Sequence, residues 1–251
     1  MGADAHAAAS FYGSAQGGVA CRLLRQKLLE IWPDLSRQRV LGLGVAGPYL
    51  RAWRGRASHC IAAGPVQVGA TRWPLVAANL ACAVEERALP FPDLFFDRVL
   101  LVHGLEAADS PRAMLREVWR VLKDDGRLLV VTPNRLGLWA HMESTPFGHG
   151  QPYSPGQIGR LLTAQMFRVE RREFALYLPP SRRRIMLRSA RFWEQAGRAI
   201  APQLGGVTIT EAVKDAYAAM PIADSRPLRR LLSEAALTGR RATNGRRVRP
   251  G

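Results

Sequence analysis

The chain has 251 residues, of which 47% are hydrophobic and 22% charged, with a formal net charge of +16 and a pI near 11.2. This composition excludes disorder throughout the chain, and the length favours one domain with a large core and a short appendage. No apolar run approaches the roughly 20 residues that a membrane span requires. The first ten residues lack the basic start and apolar run of a secretory signal, so we expect a cytoplasmic location.

The positive charge comes almost entirely from arginine, because Lys27, Lys123 and Lys214 are the three lysines among 36 basic residues. Clustered cations suit a nucleic acid, an acidic protein or an anionic membrane as a partner. A compositional bias of a GC-rich genome explains the same charge without any ligand, so both interpretations stay open. Two clusters stand out: Arg182, Arg183, Arg184, Arg188 and Arg191, and then Arg240, Arg241, Arg246, Arg247 and Arg249.

Cysteine usage predicts no disulfide and no metal site. Cys21, Cys60 and Cys82 are odd in number and widely spaced, without a C-x-x-C pair or a nearby histidine pattern. We expect three buried thiols.

The first half of the chain alternates between helical and strand patterns. Apolar spacing predicts a helix over about 14–32, and the compact run RVLGLGV at 39–45 predicts a strand buried on both faces. A weaker strand is expected at 59–64, a helix at 72–82 and a further buried strand at 98–103.

The second half continues the alternation. Ser110 is a candidate N-cap for the helix SPRAMLREVWRVL, since Pro111 follows it at the first helical position. Ser154 and Gln157 have the spacing of a capping box, so another helix begins there. The remaining predictions are strands at RLLVVTPN (127–134), FRVERREFAL and GGVTITEA, and a helix over 181–200.

The order strand, helix, strand predicts a mostly parallel sheet with right-handed crossovers and helices on both faces. In such sheets, ligands bind beyond the carboxyl ends of the strands. The loops after Val45, Ala63, His103 and Thr132 should therefore surround one crevice.

The segment VLGLGVAGPYL (40–50) predicts a sharp turn at that crevice, because Gly44 and Gly47 allow positive φ and a close ligand. Gly42, Gly44 and Gly47 also match the dinucleotide pattern G-x-G-x-x-G. The acidic residue expected some 20 positions later is missing, and a nicotinamide or flavin cofactor stays a weaker alternative.

Three segments together resemble the class I S-adenosylmethionine-dependent methyltransferases, in particular the small-molecule type: VLGLGVAG, EERALPFPDLFFDRVLL and LREVWRVLKDDGRLLVVTPN. The third is the most specific. The resemblance implies a three-layer αβα sandwich around a Rossmann-like, seven-stranded, mostly parallel sheet whose last strand is antiparallel. A methyltransferase-like domain is expected over 1–222, and a basic, disordered tail over 223–251.

The resemblance implies S-adenosylmethionine as the cofactor and assigns residues to it. The family's acid before the glycine turn is replaced by Gly42, and the acid that holds the ribose after the second strand is replaced by Ala63 or Gly64. Glu85 takes the position of an acid that meets the adenine, although a solvated glutamate pair is an equal alternative. The residues expected to bind the cofactor are Tyr12, Gly42, Gly44, Gly47, Glu85, Glu86, Leu89 and His103.

Acceptor chemistry is expected after the fourth strand and in the loop TPFGHGQPYS (145–154). Methyl transfer needs positioning above all, and it needs a base only if the acceptor carries a proton. His103, His149 and Tyr153 are the candidate catalytic residues. A core histidine and a rigid structural turn are the competing interpretations.

The leading hypothesis is a methyltransferase that acts on an unidentified acceptor. The alternative is a catalytically inactive protein of the same fold, which binds RNA or a protein partner through its arginines, and the missing acids favour it.

Overall fold

A computed structural model describes residues 8, 10–66, 72–74 and 76–215. They belong to a compact unit, Met1–Ala216, and a second unit, Tyr217–Gly251, lies outside the described residues. The predicted tail and its arginine cluster at 240–249 fall in that second unit. The domain boundary near residue 222 stays a prediction.

The described part of the chain contains seven strands and six helices, besides a short helical segment at 10–13. The strands are β1 (Arg39–Gly44), β2 (His59–Pro65), β3 (Ala81–Val84), β4 (Phe96–Val102), β5 (Leu122–Pro133), β6 (Phe167–Ala175) and β7 (Val207–Lys214). The helices are α1 (Ala15–Ile31), α2 (Gly47–Leu50), α3 (Pro111–Val121), α4 (Pro155–Thr163), α5 (Arg184–Arg188) and α6 (Ala190–Ile200). Short 3₁₀ turns occur at Leu138–His141, Pro146–Gly148 and Pro202–Leu204.

The strands form one sheet in the order β3-β2-β1-β4-β5-β7-β6. The neighbours from β3 to β5 are parallel, and β7 runs antiparallel to both β5 and β6. The predicted architecture is confirmed, including the antiparallel last strand. Because Gly44 is paired with Val102, the ends of β1 and β4 reach the same edge of the sheet.

Alternate residues of the inner strands pack into two cores, one on each face of the sheet. Leu100 and Val102 of β4 face α1 and a group of aromatic side chains, whereas Val99 and Leu101 face α3 and α4. All four side chains are buried. This double burial explains why β1, β4 and β5 read as continuous apolar runs.

The prediction of a helix at 72–82 is wrong. The described residues there form bends that lead into β3, and the Asn79 side chain accepts hydrogen bonds from the backbone N–H groups of Trp73 and Ala81. Pro74 also disfavours a helical conformation in the residue before it. Local side-chain to backbone bonds therefore replace the helix.

Other predictions needed smaller corrections. The helix expected over 181–200 is interrupted at Ser189, which lies between α5 and α6. Ser110 occupies the N-cap of α3 without a side-chain cap bond, whereas Ser154 and Gln157 form the reciprocal capping box at α4. Cys21, Cys60 and Cys82 are reduced, but Cys60 alone is buried and the other two are half-buried.

Within the described ranges, no helix is both long and apolar enough to cross a bilayer.

Candidate functional site

The glycine bend after β1 brings the ends of β1 and β4 into direct contact. Gly44 has φ +73°, and a Cβ atom there would overlap the carbonyl oxygen of Val102. The same carbonyl accepts a hydrogen bond from the Val45 N–H at 2.8 Å. Gly104, which follows β4, also lies close to the bend. Only glycine fits at position 44, since other residues would meet both left-handed strain and a backbone clash.

The other two glycines of the motif have different surroundings. A Cβ atom on Gly42 would lie 2.6 Å from Leu50 Cδ1 and 2.7 Å from the Ala46 methyl group, so the core leaves no room for a carboxylate there. A Cβ atom on Gly47 would lie 3.1 Å from the indole of Trp73. The Gly47 backbone is thus covered by an aromatic ring of this chain.

His103 follows β4 and lies at the centre of a hydrogen-bonded chain of side chains. Its Nε2 is 2.8 Å from the Tyr12 hydroxyl, and its Nδ1 is 3.1 Å from Glu106 Oε1. The Tyr12 hydroxyl is also 2.7 Å from the Tyr49 hydroxyl. The backbone of His103 has φ +51°, a conformation uncommon outside glycine. Such a conformation at a crevice is typical of a residue held for function.

The chain of hydrogen bonds has a single direction when the imidazole is neutral. A carboxylate oxygen can only accept, so Nδ1 of His103 donates to Glu106 and Nε2 is left as an acceptor. The Tyr12 hydroxyl then donates to Nε2, and the Tyr49 hydroxyl donates to Tyr12. Glu106 thereby fixes the tautomer of His103.

Aromatic rings enclose this chain of hydrogen bonds. The Phe147 ring is 4.6 Å from the His103 ring and 5.3 Å from that of Trp139, and Phe11 packs edge-on against Phe147. Desolvation by burial raises the pKa of Tyr12, partly offset by the hydrogen bond with Tyr49. A neutral Tyr12 hydroxyl is therefore the stable form, and a tyrosinate would form only transiently.

Glu106 has one carboxylate oxygen still without a partner. Its Oε2 atom is buried and has no hydrogen-bond partner within the described part of the chain. An uncompensated buried acceptor is costly, and such atoms mark strained or functional sites. This oxygen suits a donor or a cationic group of a ligand.

The loop predicted as a lid packs against the segment after β4. Phe147 is buried within the aromatic group, and the N–H of Gln151 donates to the Glu106 carbonyl at 3.0 Å. The Tyr153 hydroxyl points to the Leu105 carbonyl at a long 3.5 Å. Burial, followed by the nearby Glu106 charge, raises the Tyr153 pKa. Tyr153 and His149 are both half-buried in this loop.

The ends of β2 and β3 carry fewer polar side chains that could contact a ligand. β2 ends at Ala63, Gly64 and Pro65 without an acidic side chain. Glu85 is exposed after β3, whereas Glu86 is buried and forms hydrogen bonds with the backbone of Ser110 and Asp109 at the start of α3. Desolvation raises the pKa of Glu86.

Leu89 follows Glu86 in the segment after β3, and its contacts fix this segment against α3. Its side chain is buried, and its N–H donates to Glu117 Oε2 at 2.9 Å. The structure thus brings Tyr12, His103 and the glycine bend together, and places Glu86 as a cap for α3.

Sequence reasoning missed two aromatic residues of the site, Tyr49 and Trp73. Tyr49 lies one turn beyond the glycine bend in the segment GPYL, and a polar aromatic residue in that position is the signal that could have identified it. Trp73 gave no such signal, because its contact with Gly47 depends on a loop conformation.

Comparison with known proteins assigns this architecture. Residues 41–130 match the family model of the methyltransferase domain. Over this region the chain is similar to a methyltransferase domain. The resemblance to class I S-adenosylmethionine-dependent methyltransferases is confirmed, and the family implies S-adenosylmethionine as the cofactor.

Relatives in sequence match over parts of the chain. An uncharacterized protein of Mycobacterium tuberculosis is 33% identical over 125 residues, which are 47% of this chain and 44% of the relative. The chain thus spans less than half the length of this curated relative. A ubiquinone/menaquinone biosynthesis C-methyltransferase of Pectobacterium carotovorum is 50% identical over 44 residues, or 18% of either chain.

Solved structures support the fold over a longer range. An S-adenosylmethionine-dependent methyltransferase of Thermotoga maritima aligns with 78% of this chain and 91% of its own, with a TM-score of 0.53 and 16% identity. One from Archaeoglobus fulgidus covers 77% of this chain and 94% of its own, with a TM-score of 0.53 and 17% identity.

The described residues fit one part of S-adenosylmethionine and not another. The bend at Gly44 allows a close ligand, and the unpartnered oxygen of Glu106 suits the ammonium or the sulfonium of its methionine part. The ribose lacks a carboxylate partner, because β2 ends in Ala63, Gly64 and Pro65. Gly44, Tyr12 and Glu106 would therefore hold the methionine part, while the adenosyl part would depend on apolar contacts.

Proposed function

We propose that this chain is an S-adenosylmethionine-dependent methyltransferase whose acceptor carries an ionisable proton, and that His103 is the general base. One observation carries the proposal: the buried imidazole of His103 lies between the Tyr12 hydroxyl, 2.8 Å from Nε2, and the Glu106 carboxylate, 3.1 Å from Nδ1. When bound, S-adenosylmethionine supplies an electrophilic methyl group. The acceptor is expected to be an O–H, N–H or acidic C–H compound.

Glu106 prepares His103 to accept a proton at one particular atom. The bond from Nδ1 to the carboxylate leaves Nε2 with its lone pair directed towards Tyr12. If the proton reaches Nε2, the imidazolium lies beside the Glu106 carboxylate, which stabilises the new charge. A buried pair of this kind gains from the exclusion of water by Phe147 and Trp139.

Tyr12 is the group through which an acceptor would reach the imidazole. Its hydroxyl covers Nε2, so the Tyr12 oxygen can take a proton from the acceptor while its own proton passes to Nε2. Desolvation raises the Tyr12 pKa, which disfavours a stored tyrosinate. The two proton movements must therefore occur together, and Tyr49 donates to the Tyr12 oxygen throughout.

Binding and catalysis can be tested separately. Isothermal titration of the full chain with S-adenosylmethionine and with its demethylated product should give measurable heat, with a Kd weakened by about tenfold or more because the ribose carboxylate is missing. No heat at about millimolar ligand, from a folded sample, would contradict the proposal. That outcome would favour the alternative, an inactive binding protein of this fold.

The role of His103 is tested by His103→Asn, since asparagine tolerates the left-handed backbone conformation. Product formation with phenols, imidazoles and carboxylic acids as trial acceptors should fall by about 10²–10⁴-fold. The Kd for the cofactor should change by less than about threefold, since the change removes a base and not a cofactor contact. A large loss of cofactor affinity would instead assign His103 to cofactor binding.

Glu106→Gln is the matched variant for the positioning role. It preserves shape but removes both the charge that holds the Nδ1–H tautomer and the charge that would face the cofactor's methionine part, so cofactor affinity should fall and turnover at saturating cofactor should fall as well. Imidazole ¹⁵N chemical shifts give an independent measurement, and they should show His103 protonated at Nδ1 in the unaltered protein. Protonation at Nε2 alone would contradict the assigned direction of the hydrogen bonds.

A further inference from the structure

Helices α5 and α6 present large apolar side chains to solvent. Ile185 is 76% exposed, Phe192 is 63% exposed and Ile200 is 83% exposed. α5 buries no side chain, and α6 buries only Ala190. An amphipathic helix normally turns its apolar residues to the core, so this outward placement requires a partner. We call these two helices, with the arginines between 182 and 198, the α5–α6 surface.

The charge of the α5–α6 surface is positive. The segment 181–200 contains six arginines and one acidic residue, Glu194. The Glu194 carboxylate turns inward and accepts the backbone N–H groups of Leu176 and Tyr177 at 3.2 and 2.6 Å. Among the described residues, no carboxylate forms an ion pair with the exposed arginines of this surface: Arg182, Arg183, Arg184, Arg188, Arg191 and Arg198.

The apolar part extends beyond the two helices. Leu204 is 54% exposed in the turn after α6, and Leu136 and Leu138 are 60% and 62% exposed after β5. Gly137 joins the two segments, because a Cβ atom there would lie 2.6 Å from the Gly205 carbonyl oxygen. Exposed aliphatic side chains thus continue from α6 to the carboxyl end of β5, the edge of the sheet that carries His103.

A groove with a volume of about 650 Å³ opens beside the same arginines, between α1 and α6. Its lining includes the cations Arg191, Arg198 and Lys27 and the carboxylates Glu30 and Glu194. Glu30 and Glu173 each hold the Lys27 ammonium at 3.1 Å, which leaves the two guanidinium groups as the available cations. A groove of this size can receive a phosphate-bearing group.

Charge and exposure discriminate between the candidate partners. Residues 217–251 contain eight arginines and two acidic residues, so that segment has the same sign of charge as the surface. A second copy of the chain would bring two arginine-rich faces together. Nucleic acid would neutralise the arginines but would leave exposed aliphatic groups such as Ile185 and Ile200 without an apolar environment. An anionic bilayer satisfies both requirements at once.

We propose that the α5–α6 surface binds the face of an anionic lipid bilayer. Ile185 and Phe192 enter the boundary between headgroups and acyl chains, and Arg188, Arg191 and Arg198 bind lipid phosphates. The protein lies on the bilayer and does not cross it. This binding is independent of whether the proposed methyl transfer occurs.

The test is co-sedimentation of the full chain with two kinds of vesicle, one of phosphatidylcholine and one containing about 30 mol% phosphatidylglycerol. Binding is expected only to the second, and it should weaken as salt rises from about 50 to about 200 mM. The triple variant Arg188→Gln, Arg191→Gln and Arg198→Gln should bind the anionic vesicles on the order of 100-fold more weakly. The matched control replaces three exposed arginines elsewhere, Arg54, Arg87 and Arg116, by Gln and should change binding far less.

The apolar contribution has its own variant and control. Ile185→Ser with Phe192→Ser should weaken vesicle binding by about tenfold or more, because the charge is unchanged and the inserted area is lost. Val66→Ser with Val76→Ser removes two exposed side chains, 55% and 96% exposed, from outside the surface and should have little effect.

Three results would overturn the proposal. The first is equal binding to both kinds of vesicle. The second is an equal loss of vesicle binding in the arginine triple variant and in its control. The third is binding of a single-stranded RNA of about 30 nucleotides more tightly than anionic vesicles, with no effect of the apolar variant on either ligand. That result would assign the surface to nucleic acid. Because each readout is lipid or RNA binding, none depends on cofactor affinity or turnover.

Discussion

At the carboxyl ends of β1 and β4 the polar groups are tightly organised, whereas at the ends of β2 and β3 they are sparse. The first region joins Gly44 to Val102 and links Tyr12, His103 and Glu106 by hydrogen bonds. In the second region, β2 ends at Gly64 and Pro65, and the exposed Glu85 follows β3. The difference teaches that neighbouring strand ends on one edge of the sheet can differ widely in polar organisation, and the proposed function uses the organised region.

The largest effect is expected from a substitution that disrupts the first region. Gly44→Ala places a methyl group against the Val102 carbonyl at a backbone angle of φ +73°, so the free energy of unfolding should fall by about 3 kcal/mol or more. Urea unfolding measures this change. Gly55→Ala is the control, because nothing lies within 4 Å of a Cβ atom there. Equal stabilities of the two variants would show that the two strand ends are not locked together.

An intermediate effect is expected from restoring a carboxylate to the second region. Gly64→Asp adds an acceptor at the half-buried end of β2, where two charge-assisted hydrogen bonds to a ribose could form. Affinity for S-adenosylmethionine, measured by isothermal titration, should rise by about 10- to 100-fold. Gly55→Asp adds the same charge in an exposed loop and should leave the Kd nearly unchanged. If Gly64→Asp has no effect, ribose binding does not limit the affinity.

The smallest effect concerns Glu86 after β3. Desolvation raises its pKa from the ordinary value of 4.5, so the folded chain keeps a proton that the unfolded chain releases. The free energy of unfolding should therefore decrease as pH rises from about 4.5 towards neutrality, and Glu86→Gln should remove that decrease. The expected difference is below about 1 kcal/mol, and unfolding at a series of pH values measures it. The exposed neighbour is the control, since Glu85→Gln should leave the pH dependence unchanged.

Much of the fold was predictable because its signals are local. Buried runs such as RVLGLG, the Ser154–Gln157 capping box and the order of elements sufficed for the sheet and its antiparallel last strand. The helix expected at 72–82 failed, because the side chain of Asn79 pairs with backbone groups that a helix would have used. Periodicity does not reveal that competition.

The site was predictable only in part. His103 and the glycine bend follow from position relative to the strands, since carboxyl ends meet at one edge, whereas Tyr12 was assigned from the family resemblance. The bond between Tyr12 and His103 joins residues 91 positions apart, and no local pattern encodes it. The cofactor contact expected of Glu86 stays a prediction, and the structure adds that its carboxylate accepts backbone hydrogen bonds at the start of α3.

The position of Tyr12 in the chain has a consequence for the timing of events at the crevice. Tyr12 lies in the short helical segment at 10–13, which is joined to α1 through Ser14, whose side chain accepts the Gly17 N–H. If this segment detaches, Tyr49 and His103 lose their shared partner together, and water reaches the imidazole. Amide hydrogen exchange at residues 10–13 should therefore report whether the crevice is assembled, with slow exchange when the segment is docked and fast exchange when it is detached.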